Sequence, residues 1–397
     1  MKDFNKFIKT DLDELKRNNL MWPRKILETA SVPRAIVNGK KTLILCSNNY
    51  LGLTNQPKLK NAAINAIKKF GVGSGSVRII AGNMTLHEEL DKKIAEYKKT
   101  EAAIHFPTGF AANAGTIPQL VSKEDVIISD ELNHGSIIDG VRLSNADKMV
   151  FKHADINDLA KVLEEIKSKE YKRKLIISDG VFSMDGDIAP LPGIVKEAEK
   201  HDATIYIDDA HGEGVLGKNG RGLASHFNLE GKVDIEVGTF SKAFGNMGGY
   251  VSGNKDLAEY IYNKARTFLL SASIPPATLA SCIAALEVID EEPQIIQNLW
   301  SNVKYFKNGL NEMGFDIGKS VTPITPIMLN ESDVAQRFSE ELMREGILAL
   351  PIIYPLVARD KARIRTIISA VHTMEDLDFA LESFEKVGKK LGVIHNK

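Results

Sequence analysis

Short apolar runs alternate with longer amphipathic stretches through the middle of this 397-residue chain. Strands separated by helix-length segments are typical of a mostly parallel sheet that is covered by helices on both faces. The alternation therefore predicts an α/β fold. The predicted strands are AAIHF (102–106), DVIIS (125–129), KLIIS (174–178), ATIYID (203–208) and VDIEVGT (233–239).

This pattern predicts a large domain at residues 45–284, preceded by an N-terminal helical arm at residues 1–44. Beyond residue 285 two amphipathic helical stretches are followed by the apolar run ARIRTIISA and a final amphipathic helix. That order predicts a smaller α+β domain at residues 285–397. A chain of this length has room for two domains with a deep cleft between them.

The composition, 43% hydrophobic and 26% charged, is that of a globular enzyme. Fifty-one Lys and Arg balance 52 Asp and Glu, which argues against a nucleic-acid or anionic-membrane partner. No apolar run has the roughly 18 residues of a membrane span, and the N-terminus lacks a signal-peptide core. Cys46 and Cys282 have no metal-ligand spacing. We expect a cytoplasmic protein without a metal that binds small molecules or a second copy of itself.

Polar residues follow each of the five predicted strands. In open sheets of this kind, ligands bind in the crevice at the carboxyl edge of the strands. We therefore expect one site at this edge. The segments are PTG, DELNHG, DGVFSMDG, DDAHG and TFSK, in the order of the strands they follow.

A phosphate fits the first and last of these segments. Thr108 and Gly109 lie at a strand-to-helix junction, where free N–H groups and the helix dipole favour an anion. Taken alone, Thr108 is more simply an ordinary N-cap residue. Thr239 and Ser241 in TFSK add two hydroxyl groups for the same anion.

The other segments suit a heteroaromatic ring. Asp208 ends a buried strand, so its carboxylate needs a hydrogen-bonded or cationic partner, and a protonated ring nitrogen is one. His211 can orient that carboxylate and His134 can stack on the ring. Capping and structural roles remain the alternatives for all three residues.

Lys242 lies between a β-branched run and a glycine cluster in VGTFSKAFGNMGGYVSG (237–253). Pyridoxal phosphate has a phosphate arm, a ring nitrogen, a phenolic oxygen that Ser183 can contact, and an aldehyde that a lysine can condense with. These are the groups that the segments above and Lys242 suit. This cofactor accepts the electrons of an α-carbanion. A lysine amine reacts in this way when burial and nearby positive charge lower its pKa, so we interpret Lys242 as a covalent anchor.

Nine ordered motifs spread over nearly the whole chain resemble those of the α-oxoamine synthases. These are pyridoxal phosphate enzymes of the aspartate-aminotransferase fold that condense an amino acid with an acyl-CoA. The motifs are CSNNYLGL, GSGSVRIIAG, HFPTGFAAN, SDELNHGSIIDGVRL, SDGVFSMDGDIAPL, IDDAHGEGVLGKNGRG, GTFSKAFGNMGGY, FLLSASIPP and ARIRTIISAVHT.

The resemblance implies a role for each matching residue. Lys242 would be the Schiff-base lysine and catalytic base, and Asp208 the partner of the pyridine nitrogen. His134 would stack on the ring and later hydrogen-bond the substrate carbonyl, with His211 and Ser183 near the phenolic oxygen.

The resemblance also implies that Arg365, assisted by Asn48, binds the amino-acid carboxylate. A homodimer with shared active sites would follow from the phosphate contacts. These contacts would come from Gly109, Phe110, Thr239 and, from across the dimer interface, Ser271.

Within the family, three motifs look most like the glycine C-acetyltransferases, also called 2-amino-3-ketobutyrate CoA ligases. They are ELNHGSIIDGVRL, SVRIIAG and DGVFSMDG. This similarity predicts that glycine and acetyl-CoA give 2-amino-3-oxobutyrate. DDAHGEGVLG instead looks closer to the branch that uses alanine and a pimeloyl thioester. A non-catalytic scaffold subunit is the alternative of a different class, although it would usually lack Lys242.

Three residues depart from the family pattern. Glu213 occupies a position that is usually small or apolar, where it can alter the substrate entrance. Pro118 is expected to interrupt the helix after the phosphate turn. Ala272 replaces a frequent hydroxyl or amide residue beside Ser271, which puts one phosphate contact in doubt.

Overall fold

The structure is a computed structural model that describes residues 2–18, 20–22 and 24–395. The helices of this part are α1 (Lys2–Arg17), α2 (Pro57–Phe70), α3 (Thr85–Lys98), α4 (Gly109–Leu120), α5 (Gly135–Arg142), α6 (Ile156–Glu165), α7 (Leu191–His201), α8 (Leu223–His226), α9 (Lys255–Lys264), α10 (Arg266–Leu269), α11 (Pro276–Glu291), α12 (Gln294–Glu312), α13 (Ser332–Arg344) and α14 (Met374–Lys390).

The strands are β1 (Arg34–Val37), β2 (Lys40–Ile44), β3 (Ala102–Phe106), β4 (Val126–Asp130), β5 (Asp147–Phe151), β6 (Lys174–Asp179), β7 (Thr204–Asp208), β8 (Ile235–Thr239), β9 (Gly249–Gly253), β10 (Ile324–Asn330), β11 (Ile347–Leu348), β12 (Leu350–Ile352) and β13 (Ala362–Ile367).

A seven-stranded sheet forms the centre of the molecule, in the order β3-β9-β8-β7-β6-β4-β5. Strand β9 is antiparallel to both of its neighbours, and the remaining pairs are parallel. A sheet of this kind requires cover on both faces. The predicted mostly parallel α/β fold is confirmed.

Successive strand residues face two separate apolar cores, as the two-residue period of a strand requires. Ile176 packs into the core shared with α2, α3, α6, α7 and α11. Its neighbours Leu175 and Ile177 pack into the second core with α4, α5, α9 and α10. Because both faces are covered, polar side chains reach a ligand only at the strand ends.

The C-terminal part contains a smaller antiparallel sheet, in the order β10-β13-β12, and helices α12, α13 and α14. A third sheet joins β1 and β2 to β11. Within segment 1–44, predicted as a helical arm, helix ends at Arg17, and the strands β1 and β2 follow. The arm therefore differs from the expectation: β1 pairs with β2, and β2 also pairs with the distant β11, a contact that local sequence does not reveal.

Helix α4 continues through Pro118 to Leu120. The expectation that Pro118 interrupts this helix is therefore wrong. Proline removes one backbone donor, and here it does so in the last turn, where the loss is confined to the helix end.

Among the described residues, we find no helix with the length and apolar character needed to cross a membrane.

His153 ties the loop after β6 to the sheet. Its Nδ1 lies 3.1 Å from a carboxylate oxygen of Asp130, and its Nε2 lies 2.8 Å from Asp187. Partial burial alone would lower the pKa of His153, but the hydrogen bonds to Asp130 and Asp187 raise it to about 10. The imidazolium therefore holds the loop that carries Ser183 at neutral pH.

This ion pair predicts a pH-dependent stability. Because the folded pKa lies above the unfolded value, the stabilisation is complete below about pH 6.5 and is lost as pH rises through about 10. Between pH 7 and 9, His153 should lower the free energy of unfolding by up to about 1.4 kcal/mol per pH unit. Urea unfolding at several pH values should show a shallower slope for His153→Gln. An identical slope in the variant would contradict the role of this pair.

Candidate active site

The carboxylate of Asp208 lies at the end of β7 and is 6% exposed. It accepts hydrogen bonds from Asn113 Nδ2 at 2.6 Å and from the backbone N–H of Ala210 at 3.0 Å. Within the described part of the chain, no lysine, arginine or histidine forms an ion pair with it. A buried carboxylate without a cation is costly, so this position fits a ligand that supplies a positive charge.

Asn113, in the second turn of α4, is the centre of a buried hydrogen-bond network. Its Nδ2 also donates to Ser136 Oγ at 2.9 Å, and its Oδ1 accepts from the hydroxyl of Tyr206 at 2.6 Å. The amide is therefore held from three sides. This network fixes the rotamer of Asp208 before any ligand arrives.

His134 caps the N-terminus of α5, and its Nδ1 accepts from the backbone N–H of Ser136 at 3.2 Å and lies 2.7 Å from Ser136 Oγ. Its own backbone N–H donates to Asp179 at 2.8 Å. Burial lowers the pKa of His134, against an opposing effect of Asp208 and with an added effect of Lys242. A neutral imidazole with its second nitrogen free can contact a ring or a substrate carbonyl.

Asp179 ends β6 directly opposite Asp208 in the parallel register. Burial and the neighbouring Asp208 carboxylate raise the pKa of Asp179 well above its usual value. Two carboxyl groups at adjacent strand ends resist simultaneous ionisation. The protonated form of Asp179 is therefore favoured relative to an ordinary carboxyl group, and an oxygen of this group accepts from the backbone N–H of His134.

His211 is buried and lies 2.7 Å from the hydroxyl of Tyr50 through its Nδ1. Burial lowers the pKa of His211 well below its usual value, and Lys242, Arg365 and His134 lower it further. Burial also raises the pKa of Tyr50, so the phenol keeps its proton and can donate a hydrogen bond to Nδ1. In that tautomer the imidazole proton is on Nε2, which can donate to a ligand oxygen.

Lys242 follows β8, and its ammonium makes neither a hydrogen bond nor an ion pair within the described residues. Burial lowers the pKa of Lys242 to about 8, with opposing effects from Asp208 and Asp179 and a further lowering by Arg365. A depressed pKa increases the population of free amine near neutral pH, which is the form that attacks an aldehyde.

The phosphate turn has the predicted geometry of a helix N-terminus. Thr108 Oγ1 accepts from the backbone N–H of Ala111 at 3.0 Å and caps α4. A side chain at Gly249 would approach the nitrogen of Gly109 within 2.5 Å, so glycine is required there. Thr239 Oγ1 lies 2.8 Å from Ser241 Oγ. Free amides and these hydroxyl groups meet at one strand edge.

Arg365 on β13 reaches the same cleft from the smaller sheet. Its Nε donates to the carbonyl oxygen of Ser183 at 2.5 Å, and its Nη2 donates to Asn48 Oδ1 at 3.3 Å. Burial lowers the pKa of Arg365, with small opposing effects of Tyr50 and Cys46. No carboxylate pairs with this guanidinium in the described residues, which leaves it available for an anionic group.

These contacts bring most of the predicted site residues to one cleft. Ser183 contributes its carbonyl oxygen to Arg365, whereas Phe110 is 51% exposed at the start of α4. Ser271 lines a small cavity with His105 and Pro107, the residue before Thr108. No hydrogen bond joins its side chain to Thr108, Thr239 or Ser241 within the described residues.

Sequence reasoning missed three residues that position the site: Asn113, Tyr50 and Asp179. Asn113 and Tyr50 lie inside the motifs HFPTGFAAN and CSNNYLGL. Asp179 begins the segment DGVFSMDG. Asn113 is a polar residue in a largely apolar helix, which is uncommon unless the residue is hydrogen-bonded. Tyr50, in a polar turn, and Asp179, at a strand end, have no comparable signal.

Glu213 is buried, with 1% of its surface exposed. The expectation that it alters the substrate entrance is wrong, because its side chain points beneath the sheet toward Lys98 and Tyr250.

In the described residues, no group of three or more His, Cys, Asp and Glu is arranged to hold a metal ion.

The donor set fits pyridoxal phosphate. Asp208 lacks a cation that a protonated pyridine nitrogen supplies, and Lys242 is an unpaired amine with a lowered pKa. The N-terminus of α4 offers free amides to the phosphate, while His211 can donate to the phenolic oxygen. These groups satisfy the charged and polar atoms of the cofactor without leaving a buried charge unpaired.

We predict that Asn113→Leu weakens cofactor binding, because Asp208 loses its orienting amide. One hydrogen bond to a charged group contributes about 1.5–3 kcal/mol, so the dissociation constant should rise roughly 10- to 100-fold. Equilibrium dialysis with pyridoxal phosphate measures it. Thr116→Val is the matched control, since Thr116 is buried in the same helix and its hydroxyl has no hydrogen-bond partner in the described residues. Equal effects of both changes would contradict the role of Asn113.

The Aminotransferase class I and II family model matches residues 40–384. The chain is 55% identical over 388 residues to an 8-amino-7-oxononanoate synthase of Thermoanaerobacter pseudethanolicus, with 98% of each chain covered. It is 51% identical over 388 residues to 8-amino-7-oxononanoate synthase 1 of Bacillus subtilis, again with 98% of each covered.

Solved structures agree with the fold. Serine palmitoyltransferase K265A from S. paucimobilis, with a bound PLP-myriocin aldimine, has a TM-score of 0.93 and 32% identity over 99% of each chain. An 8-amino-7-oxononanoate synthase from Francisella tularensis has a TM-score of 0.76 and 29% identity, and the match covers 88% of this chain and 98% of that one.

These relatives correct the predicted activity. The glycine C-acetyltransferase prediction is wrong, because relatives with half or more of their residues identical over nearly the full length are 8-amino-7-oxononanoate synthases. Two of the three motifs behind it, ELNHGSIIDGVRL and DGVFSMDG, contain the site residues His134 and Ser183, and enzymes with different acyl donors share the need to bind the cofactor. The chain is a pyridoxal phosphate-dependent C-acyltransferase of the α-oxoamine synthase type and belongs to the class I and II aminotransferase family.

Proposed function

We propose that the protein condenses alanine with a pimeloyl thioester to give 8-amino-7-oxononanoate. The observation that carries this proposal is the 55% identity to an 8-amino-7-oxononanoate synthase over 98% of both chains. The product has one carbon fewer than alanine and the pimeloyl group combined, so the alanine carboxylate leaves as carbon dioxide. The thiol of the acyl donor is the second leaving group.

In this proposal Arg365 binds the carboxylate of alanine. A guanidinium can form two parallel hydrogen bonds to a carboxylate, which fixes orientation better than a point charge does. The carbonyl oxygen of Ser183 and the amide oxygen of Asn48 already hold the guanidinium in place. The side chain is therefore oriented before the substrate binds.

Lys242 is the base that removes the α-proton of the amino acid. When bound, pyridoxal phosphate stabilises the electron pair that remains after the α-carbon of the amino acid loses its proton. The Lys242 amine, with its pKa lowered to about 8, takes this proton in its free-base form. Asp208 keeps a positive charge at the ring nitrogen, and His134 and His211 donate from their neutral rings to oxygen atoms of the substrate and the cofactor.

A panel of substrates tests the proposal. The purified protein with pyridoxal phosphate should release thiol from pimeloyl-CoA in the presence of alanine and form 8-amino-7-oxononanoate, identified by mass spectrometry. Glycine with acetyl-CoA should give a kcat/KM lower by at least about 100-fold, or 2.7 kcal/mol. A preference for any other pair would contradict the proposed substrates while leaving the acyltransferase class intact.

We further propose a homodimer in which each active site uses both chains. The family resemblance assigns Ser271 to the phosphate of the neighbouring subunit, and within the described residues its hydroxyl forms no hydrogen bond to Thr108, Thr239 or Ser241. Large apolar side chains flank the site segments and are exposed in the single chain, as expected for a surface that another protein covers. They are Phe110 (51%), Leu132 (50%), Met247 (55%) and Leu270 (69%).

Subunit mixing tests this arrangement. Lys242→Ala chains lack the anchor, and Ser271→Glu chains place a carboxylate against the phosphate, so each homodimer should be inactive. Mixed dimers should recover up to one working site, built from Lys242 of one chain and Ser271 of the other. Turnover of mixtures, with dimer composition verified by mass spectrometry, is the measurement. No recovery in verified mixed dimers, or a monomer by sedimentation, would contradict shared sites.

A further inference from the structure

A buried cluster of charged side chains lies next to the site and has no assigned role in the chemistry described so far, although one member, Glu213, opposes the lowering of the Lys242 pKa. We call it the Lys98 cluster and define it as Lys98, Asp209, Glu213 and Glu236. The Lys98 ammonium, 1% exposed, lies 2.8 Å from Glu236, 3.3 Å from Glu213 and 3.7 Å from Asp209. It also donates to the carbonyl oxygen of Arg221 at 2.8 Å.

The cluster contains three carboxyl groups and one ammonium, all shielded from water. Full ionisation would leave two uncompensated negative charges, which a buried site does not tolerate. Burial raises the pKa of Asp209 to about 7 and that of Glu213 to about 8, although Lys98 opposes both shifts. Protons therefore remain on the cluster near neutral pH.

Two members of this cluster share a loop with the site. Asp209 follows Asp208 directly, and Glu213 lies two residues beyond His211. Along residues 208–213 the chain thus turns two side chains into the cleft and two into the cluster. The backbone N–H of Asp209 donates to the carbonyl oxygen of Val237 on β8 at 2.8 Å, so this hydrogen bond attaches the loop to the sheet.

The carboxyl group of Glu213 is held closely. The Tyr250 hydroxyl on β9 donates to Glu213 Oε1, and Lys98 approaches the same oxygen at 3.3 Å. Its Oε2 is packed against Gly238, where an added Cβ would lie 2.1 Å away. Gly238 precedes Thr239 of the phosphate site. Any displacement of Glu213 is therefore passed to both the loop and β8.

We propose that Glu213 is a positioning residue for the reaction: held by Lys98 and Tyr250, it fixes the loop that presents Asp208 and His211 to the cofactor. A buried ionic group is weak support for a purely stabilising role, because desolvation offsets the attraction between the charges. Glu213 faces Lys98 and Tyr97 from α3, Asp209 from its own loop, Glu236 from β8 and Tyr250 from β9, and its charge also acts on Lys242 after β8. This inference depends on the proposed function only for the identity of the substrates.

The test compares Glu213→Ala and Glu213→Gln in the protein loaded with pyridoxal phosphate. The first readout is the midpoint pH of the visible cofactor band without amino acid or acyl donor, so a wrong choice of substrates does not affect it. Glu213→Ala should shift this midpoint by about half a pH unit or more. With substrates, it should lower kcat by on the order of 10- to 100-fold with little change in KM, as expected for misplaced groups.

Glu213→Gln should restore the parent midpoint and kcat at pH 7, because an amide has the shape of a protonated carboxyl group and accepts from Tyr250. If Glu213→Ala does not fold, Tyr250→Phe removes the hydroxyl that donates to Glu213 Oε1 and should move the midpoint in the same direction. Parent-like midpoints and kcat values in the variants that lose this contact would overturn the proposal.

Glu236→Gln is the matched control. Glu236 contacts the same ammonium but is the second residue of β8, outside the loop. This variant should lower the thermal unfolding temperature and leave the cofactor midpoint unchanged. Equal midpoint shifts in the Glu236 and Glu213 variants would show that cluster charge, and not the loop, is responsible, and would contradict the positioning role.

Discussion

The site depends on one buried carboxylate that has no cationic partner in the described protein. Asp208 is held by the Asn113 amide and a backbone N–H, and both are neutral donors. They orient the carboxylate without neutralising it. A ligand with a protonated nitrogen therefore gains an electrostatic interaction in a place from which water has already been removed.

The other unpaired charges of the cleft follow from this one. Lys242 and Arg365 are also without carboxylate partners within the described residues, and each lowers the pKa of the histidine between them, His211. The site thus contains one negative group, Asp208, that can pair with a ring nitrogen. It also contains two basic groups: Lys242 can react with an aldehyde, and Arg365 can bind a carboxylate. Preorganised charges of this kind stabilise developing charge without reorganisation during the reaction.

The sequence predicted the central strands well because their burial on both faces leaves a strong apolar signal. Strands β5 and β9 were missed for opposite reasons. Residues 147–151 (DKMVF) are at the sheet edge and largely exposed, and residues 249–253 (GYVSG) contain two glycines in a fully buried strand. The pairing of β2 with β11 joins residues about 300 positions apart, and periodicity within a segment contains no information on such pairs.

The residues that contact the cofactor in our proposal were recognised at the strand ends, whereas those that orient them were not. Asn113, Tyr50 and Asp179 act through other side chains, so their function depends on partners distant in sequence. Glu213 was noticed as a departure but placed at the entrance, because sequence does not show on which side of a loop a side chain points. The acyl donor was assigned wrongly, since motifs near the cofactor do not report on the acyl group.

The central claim is that Lys242 forms the bond to the cofactor. Loading the protein with pyridoxal phosphate, reducing it with borohydride and mapping the peptides by mass spectrometry identifies the attached lysine directly. Our account predicts the reduced pyridoxyl group on the peptide that contains Lys242, with no label in Lys242→Ala. A label on another lysine, or a visible cofactor band without any label at Lys242, would contradict it.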